Sequence, residues 1–511
     1  MLTPQDEKQL AEKGISKQKF EQQLQYFATG FPFAELLEAA TINNGIVALK
    51  TDEIDQYVAY YEQRLSDISP LKFVPASGAA SRMFKRLSES LSDNVNNAHY
   101  LQTNYPDVAA FIHHLPKFAF YQELAGCIQT NGEDIETLLK KEDYKKIIQY
   151  LLTPKGLNYG NLPKALLTFH RYGAETRSAL EEHLVEGAAY AKNAKSQVSL
   201  HFTISPEHKT AFMEKVAQIK PLYEKKFEVE FILSFSEQKS STDTISVNEQ
   251  NEIMRNADGG MLFRPGGHGA LIENLTDCDA DVIFIKNIDN VAIDALKKPT
   301  YTYKKALAGY LLSLQAATFN MLKTLSGANI TAVQLTQIET YAKNILCIHK
   351  PLTYTDFSQE EKIAFWQKNL NRPIRVCGMV KNEGEPGGGP FWVKNAQGEE
   401  TLQVVESSQI DYKNKRQEHI AIKASHFNPV DLVCATKDVH GNLFHLPDFV
   451  DSLTGFISSK SKNGETLKAQ ELPGLWNGSM ADWISIFVEV PISTFNPVKM
   501  VNDLLRKEHQ A

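Results

Sequence analysis

Cysteine is scarce in this chain and never paired. Cys127, Cys278, Cys347, Cys377 and Cys434 stand far apart, odd in number and without a C-x-x-C pair. That excludes a disulfide framework or a cysteine-held zinc cluster and fits free thiols in a reducing compartment. HExxH is missing too, and the scattered histidines show no paired metal-ligand spacing. There is no basic excess: the formal net charge is −7, which argues against a nucleic-acid partner while leaving room for a local basic pocket. The most apolar long stretch, Ala306 to Leu325, carries Gln315 and Asn320 and repeats with helical period. It reads as a buried helix, so no membrane partner is expected. The opening MLTPQDEKQLAEKG is charged from its sixth residue and has no apolar core. A soluble, cytoplasmic protein without a signal peptide is therefore expected. No GxGxxG follows the first strand, no GxxxxGK[ST] occurs, and there is no GxSxG elbow. These absences argue against a nicotinamide enzyme, a P-loop NTPase and a serine hydrolase.

What remains is ordinary globular composition over 511 residues, 42% hydrophobic and 23% charged, enough for two or three domains. Residues 1–70 space their apolar side chains for one helix face, as in QKFEQQLQYF and DQYVAYYEQRL. Leu71 to Ala76 reads as the first strand. Helical pattern returns from Asn97 to Tyr150, where Phe111, Phe118, Phe120 and Tyr121 are expected in a core. Ser178 to Ala191 and His208 to Ile219 read as helices. Val198–Ile204, Phe227–Phe235, Asp281–Lys286, Pro373–Val380, Thr401–Glu406 and Trp483–Val490 read as strands, and Tyr301 to Trp366 is mainly helical. Strands alternating with helices predict an α/β fold with a mostly parallel sheet. The expected layout is a helical extension over 1–70, an α/β core over 71–410 with a helical insertion at about 88–160, and a C-terminal α/β region over 411–511. Gly384 to Pro390 reads as a solvated turn or a mobile flap.

Three segments carry chemistry. In Phe73–Leu87, FVPASGAASRMFKRL, an apolar run enters a series of small residues and leaves through Arg82 and Lys85. This is how a backbone wraps phosphate oxygens, with N–H groups turned inward and cations beside them; an ordinary strand-to-helix turn is the plainer alternative. In the second segment, Gly259 to Ala270, five glycines and a proline accompany His268; glycine permits close backbone approach to a ligand. The third is Asp289, following a buried strand between Asn287 and Asn290. A carboxylate among amides there suits Mg²⁺ or, equally, an Asx turn. In open parallel sheets ligands sit beyond the carboxyl ends of strands, where both the Gly78 loop and Asp289 fall.

In order, these islands run Ser81-Arg82-Met83, Pro163-Lys164, Pro265-Gly266-Gly267-His268-Gly269, Asn287-x-Asp289-Asn290, Val405-Glu406-Ser407-Ser408 and Phe495-x-Pro497-Val498-Lys499 with Asp503-Leu504-Leu505. Ser234-Phe235 with Thr242-Asp243-Thr244 adds a further match. The set resembles the UDP-sugar pyrophosphorylases, the UTP–sugar-1-phosphate uridylyltransferases. That resemblance implies a Rossmann-like, GT-A-like nucleotidyltransferase core. It also implies nucleotide and substrate contacts from Gly78, Ser81, Gly266, Gly267, His268, Gly269, Asn287 and Glu406. Arg82, Lys164 and Lys499 would be the catalytic cations, and Asp289 the ligand of Mg²⁺. The partners implied are a nucleoside triphosphate, UTP foremost, and a sugar-1-phosphate. The family's loop is richer in glycine and its Pro-Lys follows closely, whereas here about eighty residues intervene. The loop lysine's role therefore lies open between Lys85 and Lys164, with the Pro-Lys context favouring Lys164. Two other classes stay open: a non-catalytic sugar-nucleotide-binding or sensing protein, and a helical interaction scaffold.

Overall fold

The structure is a computed structural model that describes residues 2–93, 97–327, 329–384, 387–462 and 465–511. The chain divides into two compact units. The first comprises Met1–Phe73, Ser236–Ile285 and Tyr303–Ile492; the second comprises Val74–Phe235, Lys286–Thr302 and Ser493–Ala511. The fold is mixed α/β with a mostly parallel central sheet, as the alternation predicts.

In the first unit the strand order is Thr41–Ile42, Gly45–Val47, Ile484–Glu489, Ile374–Lys381, Asp431–Ala435, Val282–Lys286 and Pro70–Pro75. Ile484–Glu489 runs parallel to Ile374–Lys381, with Ile374 opposite Ile484, and Val282–Lys286 runs parallel to Pro70–Pro75. Asp431–Ala435 is antiparallel. These strands are continuous β-branched and apolar runs because both sheet faces are covered. Their core gathers Ile46, Phe73, Ile283, Ile285, Leu432 and Phe487. Residues 1–70 are not all helical. Pro4–Lys13, Lys17–Thr29 and Thr51–Arg64 are helices, but Glu35–Ala39, Thr41–Ile42 and Gly45–Val47 are strands. The short apolar runs there find sheet partners: Ile46 lies opposite Phe487 and Leu36 opposite Val393. Pairing with distant strands overrides local helical spacing. Among the described residues no helix is long and apolar enough to cross a membrane. Within Gly384–Pro390, Glu385 and Pro386 lie outside the described residues, and Gly389 already begins a strand.

In the second unit the end of strand Pro70–Pro75 is followed in sheet order by Gln197–Ile204 and Glu230–Glu237. The helical pattern expected from Asn97 to Tyr150 appears as Ala98–Asn104, Pro106–His113, Tyr121–Thr130, Ile135–Lys140 and Tyr144–Leu152, preceded by the helix Lys85–Leu91. Phe111, Phe118, Phe120 and Tyr121 are core residues, as expected, packed with Val74, Phe202 and Val498 in one cluster. The helix expected to stop at Ile219 continues to Phe227 through Pro221, and Glu228 ends it in a left-handed conformation. The following strand therefore begins at Glu230 and not at Phe227. Thr168–Tyr172 and Glu175–Ser178 form a hairpin that leads into the helix Ala179–Tyr190. Ser178 caps that helix in a reciprocal box with Glu181.

Candidate functional site

The second unit assembles one cluster. Strand Pro70–Pro75 delivers the small-residue loop, whose ends are tied: Ala76 N–H donates to Thr203 O at 3.0 Å and Ala80 N–H to Leu162 O at 3.1 Å. Among the described residues, the N–H groups of Ser77, Gly78 and Ala79 between those ties donate to no protein acceptor. Gly78 and Ser81 are exposed, and a Cβ on Gly78 would meet open space. The loop then makes a 3-10 turn, Ala80–Arg82, before the helix Lys85–Leu91. Arg82 is exposed and, among the described residues, pairs with no carboxylate. Lys85 points along its own helix to Glu89 at 3.7 Å. The ties also bring in the second motif, because Ala79 bridges Pro163, the residue before Lys164.

Lys164 Nζ donates to Asp289 Oδ2 at 2.8 Å and to Val498 O at 2.7 Å. Lys499 Nζ reaches the same Oδ2 at 3.2 Å. Asp289 is 6% exposed and Lys164 nearly buried, whereas the Lys499 side chain is half exposed. Burial pushes the Asp289 carboxyl up, but Lys164 and then Lys499 more than offset it and hold it below the usual carboxylate range. Two ammoniums on one carboxylate leave the cluster net positive, which is the sign a phosphate requires. Asn287 starts the tight turn carrying Asp289, its carbonyl accepting from Asn290 N–H at 3.1 Å. The segment with Lys499 is annealed to that turn: Asn496 N–H donates to Asn290 Oδ1 at 2.8 Å and Val498 N–H to Asp289 O at 3.0 Å.

Sequence reading missed what holds this turn. The helix Ala179–Tyr190 has a fully buried face bearing Glu182, His183 and Glu186. Glu186 Oε1 accepts from Lys286 at 2.7 Å, His183 Nε2 meets Ile288 O at 3.1 Å, and Glu182 accepts from Lys297. Three successive anchor points thus bracket Asp289. The available signal was Glu-Glu-His set in apolar surroundings, LEEHLVEGAA, since such charges are buried only when paired.

The first unit assembles a different cluster. His268 stacks on Trp476, with centroids 4.4 Å apart and planes 9° from parallel. Its Nδ1 accepts from Leu475 N–H at 3.0 Å, so the ring proton sits on Nε2, which faces Glu406 Oε1 at 3.8 Å. Asn477 donates to that same oxygen at 2.6 Å. Burial lowers the His268 pKa, opposed by Glu406 and Glu471. The neighbouring glycines make room for the chain itself. A Cβ would lie 2.6 Å from Thr242 O at Gly266, 2.2 Å from Glu471 Oε2 at Gly267, where φ is +80°, and 2.0 Å from Pro473 O at Gly269. Trp476 and Asn477 were not legible in the sequence, because they reach His268 and Glu406 only through tertiary packing.

Among the described residues, no group of three or more His, Cys, Asp or Glu gathers as a metal site. Asp289 offers a single ionised carboxylate. That fits Mg²⁺ in the manner of sites completed by substrate phosphates and water, not an all-protein cage.

Solved structures similar to this chain include UDP-glucose pyrophosphorylase from Leishmania major, in open and closed forms, at 12% identity and a TM-score of 0.44, covering 99% of this chain and 79% of that one. Another is the uridine diphosphate N-acetylglucosamine pyrophosphorylase from Trypanosoma brucei with an inhibitor, at 11% identity and a TM-score of 0.48, covering 96% and 74%. Likeness at this level carries nothing about activity. No curated protein matches the chain. One family model spans both units and both clusters: it matches residues 3–510 and is described as "Domain of unknown function (DUF4301)", and the chain belongs to that family.

Proposed function

We propose that the protein is a nucleotidyltransferase that joins a nucleoside triphosphate, with UTP preferred, to a sugar-1-phosphate and releases pyrophosphate. The observation that carries this reading is the convergence of Lys164 and Lys499 on buried Asp289, in the same unit as a loop whose N–H groups at 77–79 are unused among the described residues. The ordered motifs that resemble the UDP-sugar pyrophosphorylases support it, and the strand-to-loop geometry suits a GT-A-like nucleotide-binding core.

The chemistry asks little of a protein beyond position and charge. A phosphate oxygen of the sugar-1-phosphate attacks the α-phosphorus of the triphosphate in line; a P–O bond forms as the bond to the β-phosphate breaks, and pyrophosphate leaves. The loop N–H groups would hold phosphate oxygens, and Gly78 would allow the backbone to come close. Arg82, Lys164 and Lys499 would offset the charge that builds on the attacking and leaving oxygens. Asp289 restrains the two ammoniums until phosphates compete for them. Asp289 would also be the protein ligand of Mg²⁺, which when bound supplies a Lewis acid toward phosphate oxygens. In the first unit, the resemblance assigns His268, Glu406 and the glycines around them to nucleoside or sugar contact. Trp476 would keep the imidazole flat, and Asn477 would orient the carboxylate.

The test is a pyrophosphate-release screen of nucleoside triphosphates against a panel of sugar-1-phosphates with Mg²⁺. Release with one triphosphate and one sugar class is expected. Silence across the panel, together with no nucleotide binding by calorimetry, would overturn the reading.

A further inference from the structure

We propose that His509 is a positioning residue: a buried histidine latch that sets the segment carrying Lys499 against Asp289. The inference rests on the assigned role of Lys499, but its geometry stands independently. His170 and His509 are both essentially buried, with rings stacked 5.2 Å apart. His170 Nδ1 meets Glu182 Oε1 at 2.8 Å and His170 Nε2 meets His509 Nδ1 at 2.9 Å. With His170 donating to the carboxylate, its other nitrogen accepts from His509. Glu182 is held in turn by Tyr172 at 2.8 Å and by Lys297, and Lys297 also binds Asp294.

Two features make this a device and not general packing. First, it joins the two pieces that must meet. Glu182 lies on the helix whose His183 and Glu186 anchor the Asp289 turn, while His509 lies on the segment that bears Lys499. Second, that segment has little regular structure to define its course. It runs through isolated 3-10 turns, Val501–Leu505 and Lys507–His509. It is tied at Asn290 and Asp289 on one side of Lys499. Beyond Lys499 it is tied at Met83, at Asp107 and finally at Glu508 and His509, with Ile293 N–H donating to Glu508 O at 2.9 Å. Lys499 itself is half exposed, so its reach to Asp289 depends on both sets of ties. Burying two imidazoles to close the far set is costly; His170 offsets this through both ring nitrogens and His509 through Nδ1, its Nε2 having no partner among the described residues.

The test uses the full chain. In hydrogen exchange, His509→Ala should raise exchange at Val498 and Val501 by about tenfold or more, with the strand Val282–Lys286 unchanged. His509→Gln, whose amide can still donate to His170, should retain most of the protection. In pyrophosphate release, His509→Ala should lower kcat by about tenfold to a hundredfold, as a misplaced group does, and should add nothing in a Lys499→Ala background. Unchanged exchange at Val498 and Val501, or an additive loss on top of Lys499→Ala, overturns the latch. If His509→Ala unfolds outright, His170→Gln attacks the same contact from the other side and supplies both readouts. If the unaltered protein releases no pyrophosphate with any substrate pair and binds no nucleotide, the proposed function falls, while the exchange arm still decides the latch.

Discussion

Lys164 and Asp289 are 125 residues apart in sequence, and their side chains meet at 2.8 Å with both groups nearly buried. The lysine also donates to Val498 O, one residue before Lys499. A single ammonium thus connects the residue after Pro163, the turn after a buried strand and the segment near residue 499. Its removal should be felt in function more than in stability, because Lys499 still faces the carboxylate. Lys164→Ala is expected to lower kcat by about 10² to 10³, the range for one electrostatic donor, with a smaller change in melting temperature. Steady-state kinetics beside a thermal melt separates the two; a large melting shift with unchanged kcat would make the lysine purely structural.

Asp289→Asn should act in the opposite sense on binding and on turnover. It removes the negative charge that restrains two ammoniums, so metal-free triphosphate should bind as well as before or better. Turnover with Mg²⁺ should fall by about a hundredfold or more if the carboxylate is the metal's protein ligand. Calorimetry with and without Mg²⁺ reads both. Pyrophosphate release that survives Asp289→Ala would remove the metal role.

Two glycines separate ligand contact from packing. Gly78→Ala places its methyl in open space, so unfolding stability should change by no more than about 0.5 kcal/mol. Triphosphate affinity should nevertheless weaken, since the methyl narrows the approach to the loop backbone. Gly269→Ala drives its methyl to 2.0 Å from Pro473 O and should destabilise by about 1–3 kcal/mol or more, as overpacking does. Urea unfolding and nucleotide titration on the same two variants check this; equal affinities for Gly78→Ala and the unaltered protein would remove the phosphate-loop role.

Acid should loosen the second unit. Burial, then His170 and Arg506, hold His509 down to about 3 against Glu182, whereas its ordinary value is 6.5. The unfolded chain therefore binds more protons between those values. The contribution is complete above about pH 6.5 and lost as pH falls toward 3, at up to about 1.4 kcal/mol per pH unit. Asp294 behaves in the same direction lower down. Burial raises its pKa, but Arg177 and Lys297 outweigh that and bring it to about 2, so its contribution is present above 3.8 and fades below. The unfolding free energy from urea titrations should fall by about 2 kcal/mol between pH 7.5 and pH 5. His509→Gln should flatten that slope, and an identical slope in the variant would show that His509 is not the titrating group.

Much of the frame was open to reading from composition and period. Continuous β-branched runs such as VIFIK and WISIFVEV become strands because burial on both faces demands them whatever their neighbours, and the capped helix after Ser178 carries its own start signal. The loop around Gly78 and Asp289 could be singled out because a run of small residues and a strand-end carboxylate are local features, whereas Lys164 and Lys499 came into view through the resemblance to the UDP-sugar pyrophosphorylases.

Tertiary structure decided the rest. Residues 35–47 became strands only because distant strands offered ladder partners. Glycines 266, 267 and 269 were visible as a cluster, but it took the packed residues 471–473 to show that the space they leave is filled by the chain itself. In sequence the loop lysine's role lay between Lys85 and Lys164, with only the Pro-Lys context favouring Lys164. In the structure Lys85 turns to Glu89 on its own helix, and Lys164 crosses to Asp289. His170 and His509 carried no local signature, and Glu182 only that of charges set in the apolar run LEEHLVEGAA; a buried charge is tolerable only with partners, and those partners come from three separate stretches of chain. Local chemistry follows from residue order; which charges are buried together depends on the three-dimensional path.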